Sequence, residues 1–141
     1  MNSLQPILLV EDDAVDIMTI KRCFKQLNIT NELLVATNGK MAFDILLNAI
    51  HPPHPCLVIL DINMPIMDGI SATKKIIEKY GNQRPAIVAM TANVFQEDRD
   101  KCKAAGMDDF IAKPIDISEL VRVLSKYEKP IELMINTELK H

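Results

Sequence analysis

The sequence predicts an α/β fold, a single doubly wound (βα)5 domain whose parallel five-stranded sheet is covered by helices on both faces. Three observations carry this. Short aliphatic runs alternate five times with segments of helical periodicity. The runs are continuous rather than polar-alternating, as strands covered on both faces must be. The chain has 141 residues, enough for one domain to bury about two-thirds of its unfolded surface without a disulfide or a metal.

The first run is Ile7-Leu8-Leu9-Val10. Ile17, Ile20, Phe24 and Leu27 follow at i, i+3, i+7 and i+10, one stripe of an amphipathic helix. Leu33-Leu34-Val35-Ala36 is the second run. Asn38-Gly39 then turns the chain into a helix with Met41, Ala42, Ile45, Leu46 and Ala49 on its apolar side. Pro52, Pro53 and Pro55 make a stiff loop that cannot continue it. Leu57-Val58-Ile59-Leu60 is the cleanest strand and stops at Asp61. Pro65, Asp68 and Gly69 lead into a third helix with Ile70, Thr73, Ile76, Ile77 and Tyr80, closed by Gly81 at the position of a helix C-terminal glycine. Ala86 to Met90 is the fourth strand, Phe95 to Ala105 a mostly polar helix ended by Gly106, and Phe110-Ile111-Ala112 the fifth strand. Asp116 and Glu119 have capping-box spacing and open a helix carrying Ile117, Leu120, Val121 and Leu124. Past Lys129, Ile131, Ile135 and Leu139 are spaced as in a short docking helix, with a frayed end as the alternative.

Composition narrows the function classes. Sixteen basic against 19 acidic residues, a net charge of −3, argue against a general polyanion binder. Aromatics are 4% of the chain and Trp is absent, leaving little for a base-stacking surface. No direct nucleic-acid contact is expected. No stretch approaches the roughly 18 apolar residues of a membrane span, and Ile7–Val10 runs into acids with no basic residue ahead of it. Neither a membrane partner nor a secretory signal is expected. Cys23, Cys56 and Cys102 are odd in number and far apart, which predicts free thiols in the cytoplasm.

In an open parallel sheet, ligands bind beyond the carboxyl ends of the strands. Glu11, Asp12 and Asp13 follow the first strand, Asp61 and Asn63 the third, Thr91 the fourth, and Lys113-Pro114 the fifth. With the first strand central and the third beside it, the acids converge. Two unit charges about 4 Å apart repel by about 4 kcal/mol at an effective dielectric of about 20, so such a cluster takes up protons or a cation. The ligands are hard oxygens, which selects Mg²⁺, with Mn²⁺ or Ca²⁺ behind it, over zinc. A carboxylate on Mg²⁺, with a Lys and a Thr hydroxyl nearby, is equipped to take a phosphoryl group. The bland alternative is that acids after strands are helix N-caps, and Asp13 or Asp16 fits that description.

Four segments, in order and spacing, resemble a known family. They are Ile7 to Asp13, Leu60-Asp-Ile-Asn-Met-Pro65 with Asp68-Gly69, Met90-Thr-Ala92, and Ala105 to Pro114. Together they resemble the receiver domains of two-component response regulators, over residues 5–127, with 128–141 as a tail. The Met90-Thr-Ala-Asn93 and Ala105-Gly-Met-Asp-Asp109 segments look most like receivers attached to hybrid histidine kinases. The resemblance implies a flavodoxin-like sheet in the order 2-1-3-4-5. It implies that Asp61 is phosphorylated by a histidine kinase or a histidine phosphotransfer protein. Asp12 would ligate Mg²⁺ directly, Glu11 through water, and Asn63 through its backbone carbonyl. Thr91 is the implied switch hydroxyl, Lys113 the phosphoryl-binding lysine, and Phe110 the switch aromatic, here without a hydroxyl. No catalytic turnover is expected beyond Mg²⁺-dependent self-phosphorylation and autodephosphorylation. Output would pass through the fourth helix, fifth strand and fifth helix to an effector or a second copy, because no output domain follows. The chain would be a stand-alone relay or a piece of something longer.

Rival readings fare worse on the residues. A haloacid-dehalogenase-type phosphatase needs an Asp two residues after its nucleophile, where this chain has Asn63. A degenerate, binding-only receiver would lose the acid pair, Asp61 or Lys113. His51, His54 and Cys56 have tempting metal spacing but lack a fourth ligand. Cys102, with no neighbouring cation pattern, reads as an inert thiol.

Overall fold

Four apolar residues in a row at Ile7–Val10 form β1, and all four are fully buried in a computed structural model that describes residues 5–48, 55–62, 69–92 and 96–127. The chain continues through α1 (Ala14–Gln26), β2 (Leu33–Ala36), α2 (Gly39–Asn48), β3 (Leu57–Asp61), α3 (Gly69–Tyr80), a 3₁₀ turn (Gly81–Gln83), β4 (Ala86–Thr91), α4 (Gln96–Ala105), β5 (Asp109–Ala112) and α5 (Ile117–Lys126). The five strands are all parallel and run in the order β2-β1-β3-β4-β5, as the sequence predicts. Asn63, Pro65, Asp68, His51, His54 and the tail beyond Tyr127 lie outside the described residues.

Alternating strand residues feed two apolar layers. Ile7, Leu9, Leu57, Ile59, Val88, Met90 and Ile111 pack with Ile20 and Phe24 of α1 and with Leu120, Val123 and Leu124 of α5. Leu8, Val10, Val58, Leu60, Ile87 and Ala89 pack with Ala42 and Leu46 of α2, Ala72 and Ile76 of α3, and Cys102 of α4. A strand continuous in Ile, Leu and Val serves both layers at once.

Periodicity placed three side chains wrongly or missed them. Met41 and Ile117, expected on apolar faces, are 41% and 36% exposed, and Val123, outside the predicted stripe, is fully buried. Met41 and Ile117 lie in the first turns of α2 and α5. Asn38 is more than a turn residue, because its Oδ1 accepts the Met41 N–H at 2.7 Å and caps α2. At α5, Asp116 caps by accepting the Ser118 N–H at 2.8 Å, but Glu119 does not complete the box. Its carboxylate instead takes the Arg122 Nε–H at 2.9 Å, a charge-assisted bond stronger than one to a neutral amide.

Gly106 ends α4 at φ +100°, and a Cβ there would strike the Ile77 side chain. This lets the end of α4 pack closely against α3 just before β5 begins. The β5 foot is held by Asp108, which accepts both prongs of Arg84 at 2.8 and 3.0 Å and the Ile87 N–H at 2.8 Å. Its own carbonyl accepts the Tyr127 hydroxyl at 3.0 Å.

Candidate functional site

Strand register places the polar residues. Val10 of β1 pairs with Leu60 of β3, so Glu11 and Asp61 are the next residues out on neighbouring strands. Asp61 pairs with Met90 of β4, and Thr91 pairs with Ala112 of β5, after which comes Lys113. The chain leaves β1 into α1 over Asp13, whose Oδ1 accepts the N–H groups of Val15 and Asp16 at 2.8 and 3.1 Å. Asp13 is the N-cap, one of the two candidates the sequence offered.

Glu11 is fully buried, Asp61 is 6% exposed, and Asp12 faces solvent. Each offers a carboxylate oxygen within 4.8 Å of the other two. Glu11 Oε2 accepts the Asp12 and Asp13 N–H groups at 3.0 and 3.1 Å. Its Oε1 is buried and 2.7 Å from Lys113 Nζ, close enough for an ion pair, yet it receives no aligned hydrogen bond. Burial, against the pull of Lys113 and helped by the Asp61 charge, pushes Glu11 up to about 7. A buried carboxylate oxygen without an aligned donor, beside two further carboxylates, fits a hard divalent cation such as Mg²⁺.

Lys113 closes the pocket. Its N–H donates to the Thr91 carbonyl at 2.8 Å, which fixes the start of its stem. Its Nζ donates to Asp61 Oδ2 at 3.0 Å and also lies 2.7 Å from Glu11 Oε1 and 3.0 Å from Asp16 Oδ2. Burial works against the ammonium, but the three carboxylates outweigh it and hold Lys113 above its ordinary value. Thr91 is 2% exposed at the end of β4.

A family model described as "Response regulator receiver domain" matches residues 7–125. This chain is a receiver domain of that family. It is 36% identical over 129 residues to hybrid signal transduction histidine kinase L of Dictyostelium discoideum, a match covering 89% of this chain and 7% of that protein. Identity to histidine kinase 5 of Arabidopsis thaliana is 35% over 147 residues, covering 86% of this chain and 15% of that protein. The chain thus spans a small part of the curated relatives it matches. Among solved structures, the receiver domain of sensor histidine kinase PA1611 from Pseudomonas aeruginosa PAO1 carries a magnesium ion coordinated in its active-site cleft. It matches with a TM-score of 0.72 and 33% identity over 89% of this chain and 98% of that one. The family works in two-component and phosphorelay signalling with histidine kinases and phosphotransfer proteins, and its members are not conventional enzymes. Among the described residues, no helix of this receiver is long and apolar enough to cross a membrane.

The structure brings together five of the receiver's seven sequence-nominated residues along one sheet edge: Glu11, Asp12, Asp61, Thr91 and Lys113. Asn63 lies outside the described residues. Phe110 stands one layer away on the α4 side, half-buried, with the Arg99 guanidinium carbon 4.4 Å from its ring centroid. The sequence marks Arg99 as one of the charges on the fourth-helix surface but not its stacking on Phe110, because α4 has only a weak stripe to say which way its residues face. Sequence reading missed Asp16 as a pocket residue, since an Asp just after a strand reads equally well as a cap. The signal available was that one helix has one N-cap: with Asp13 there, Asp16 in the first turn is left free for the sheet edge. Cys102 is buried and burial raises its thiol, as does burial at Cys56, pushed up to about 11.

A pH dependence follows from Glu11. Its folded value, about 7, exceeds the 4.5 of the unfolded chain, so the folded state holds the extra proton between those limits. The stability it contributes is complete below pH 4.5 and is lost as pH rises to about 7. Lys113, raised above its ordinary value, contributes evenly throughout that window. Urea melts should show metal-free wild-type receiver losing stability, relative to Glu11→Gln, between those pH values. A pH-independent difference between the two proteins would place the Glu11 proton elsewhere.

Proposed function

We propose that this receiver takes a phosphoryl group onto Asp61 from the phosphohistidine of a histidine kinase or a histidine phosphotransfer protein. The observation that carries the reading is a nearly buried Asp61 that shares one ammonium with a fully buried Glu11, beside Asp12. Glu11, Asp12, Asp61 and the Asn63 carbonyl would hold Mg²⁺, or Mn²⁺ in its place. That cation supplies neutralisation of the phosphoryl oxygens. Asp61 is the nucleophile: its carboxylate oxygen forms the new bond to phosphorus as the bond to the donor nitrogen breaks. Lys113 follows the charge from the carboxylate to a phosphoryl oxygen. Thr91 offers its hydroxyl to another. The same pocket, given a small phosphoryl donor, supports self-phosphorylation, and water attack on the acyl phosphate returns the free Asp61.

Output is proposed to leave through α4, β5 and α5. A phosphoryl group adds close to two negative charges and three strong acceptors. Movement of Thr91 toward it opens space beneath α4, into which Phe110 turns. A groove of 430 Å³ between these elements, lined in part by Arg99, Cys102, Phe110 and Arg122, is where an effector or a second copy would read the change. Three free cysteines, two of them buried, suit the reducing cytoplasm in which such relays work.

Incubation with acetyl phosphate and Mg²⁺ should add the mass of one phosphoryl group as a labile acyl phosphate. Mg²⁺ alone should raise Tm, since a ligand at roughly 100 times its Kd adds about 2.7 kcal/mol of stability. Asp12→Ala should remove both effects. An unchanged Mg²⁺ response in that variant would move the metal site elsewhere.

A further inference from the structure

We propose that Asp16 is a positioning residue: it gives Lys113 a second station, so that the ammonium can release Glu11 and Asp61 to a divalent cation without leaving the pocket. The inference rests on the phosphoacceptor reading above and names a residue that reading does not use.

An ammonium has three N–H donors and no more. In this receiver Nζ donates to Asp61 Oδ2 at 3.0 Å and lies at ion-pair distance from Glu11 Oε1, 2.7 Å, and from Asp16 Oδ2, 3.0 Å. Glu11 and Asp61 belong to the carboxylate trio that can chelate a metal, and Asp16 does not. Lys113 therefore occupies two of the metal's own ligands. A divalent cation arriving there displaces the ammonium by direct competition and by like-charge repulsion.

Where the displaced ammonium goes depends on what else is in reach. Its stem is held at the backbone by the Thr91 carbonyl, so only the flexible chain can swing. Asp16 lies on the first turn of α1, and its backbone N–H is fixed by the Asp13 cap at 3.1 Å. Its position is thus set by the helix and not by the metal. Lys113 and Asp16 side chains are 17% and 23% exposed, so their pair is partly shielded from water. With Asp16 present, the ammonium gives up two partners and keeps the third. Without it, Lys113 must either go on competing for Glu11 and Asp61 or extend into solvent, away from the place where phosphoryl oxygens form.

A double-mutant cycle separates this role from a general effect of one negative charge. Mg²⁺ affinity is measured by titration calorimetry on the unphosphorylated full chain, for wild type, Asp16→Asn, Lys113→Met and the double variant. Asp16→Asn should raise the Mg²⁺ Kd on the order of threefold to tenfold. In the Lys113→Met background the same change should leave Kd unaltered, because there is no ammonium to hold. In ¹H–¹⁵N spectra, the Lys113 ammonium of wild type should stay protected from solvent exchange at saturating Mg²⁺, and that of Asp16→Asn should not. An equal loss of affinity in both backgrounds, no loss in either, or a protected ammonium in Mg²⁺-saturated Asp16→Asn would overturn the proposal. Wild-type protein that binds Mg²⁺ and takes up phosphoryl normally would then leave the phosphoacceptor reading standing. Wild-type protein that does neither would remove both.

Discussion

Asp61→Asn should take phosphoryl uptake from acetyl phosphate down to background, a loss on the order of a thousandfold or more. The amide has nearly the shape of the carboxylate but no anionic oxygen to attack phosphorus. The variant should still fold, because Lys113 keeps Glu11 and Asp16 as partners and one charge has gone from a crowded cluster. Intact-mass spectra after incubation, with the urea midpoint as a check on folding, read both outcomes. Uptake at the wild-type rate would show that another side chain is the acceptor. The nearest carboxylates, Asp12 and Glu11, would be the next to test.

Lys113→Ala should separate phosphorylation from its consequence. Asp61 and the trio remain, so a phosphoryl group is still accepted, and Mg²⁺ binding tightens because its competitor has gone. The ammonium that bridges the new phosphoryl group to β5 is absent. Amide exchange with and without beryllofluoride should change across residues 91–125 in wild type and stay flat in the variant. A normal wild-type pattern in Lys113→Ala would contradict the role. The substitution also strips Glu11 of its counter-ion. Above neutral pH that should cost about 1–3 kcal/mol of stability, less than breaking a fully buried pair, since Lys113 is partly exposed and Glu11 can take up a proton.

Most of the architecture was legible because continuous aliphatic runs have few alternatives. Ile7–Val10, Leu57–Leu60 and Ala86–Met90 are too short for buried helices and too uniformly apolar for one-sided strands. Glu11, Asp12, Asp61 and Lys113 were legible for a related reason: a charged residue directly after such a run must emerge at the sheet's carboxyl edge. What escaped was set by contact between distant elements. Lys113 meets Asp16 across 97 positions of sequence, and no local pattern marks which first-turn acid will face it. Arg99 over Phe110 joins a weakly patterned helix to a strand. Met41 and Ile117 failed because a helical stripe tells which side of a helix is apolar, not how fully each of its turns is covered.

The Arg84–Asp108–Tyr127 knot has a mechanical consequence. It ties the start of β5 to the start of β4 and to the end of α5 with a forked ion pair and backbone bonds. Sliding β5 along β4 would break all of these together. Tilting it about that foot would spare these bonds and instead open the β4–β5 ladder from its far end, where Lys113 N–H donates to the Thr91 carbonyl. Lys113 sits at the opposite end, so a push delivered there acts on the long arm of a lever with its fulcrum at Asp108.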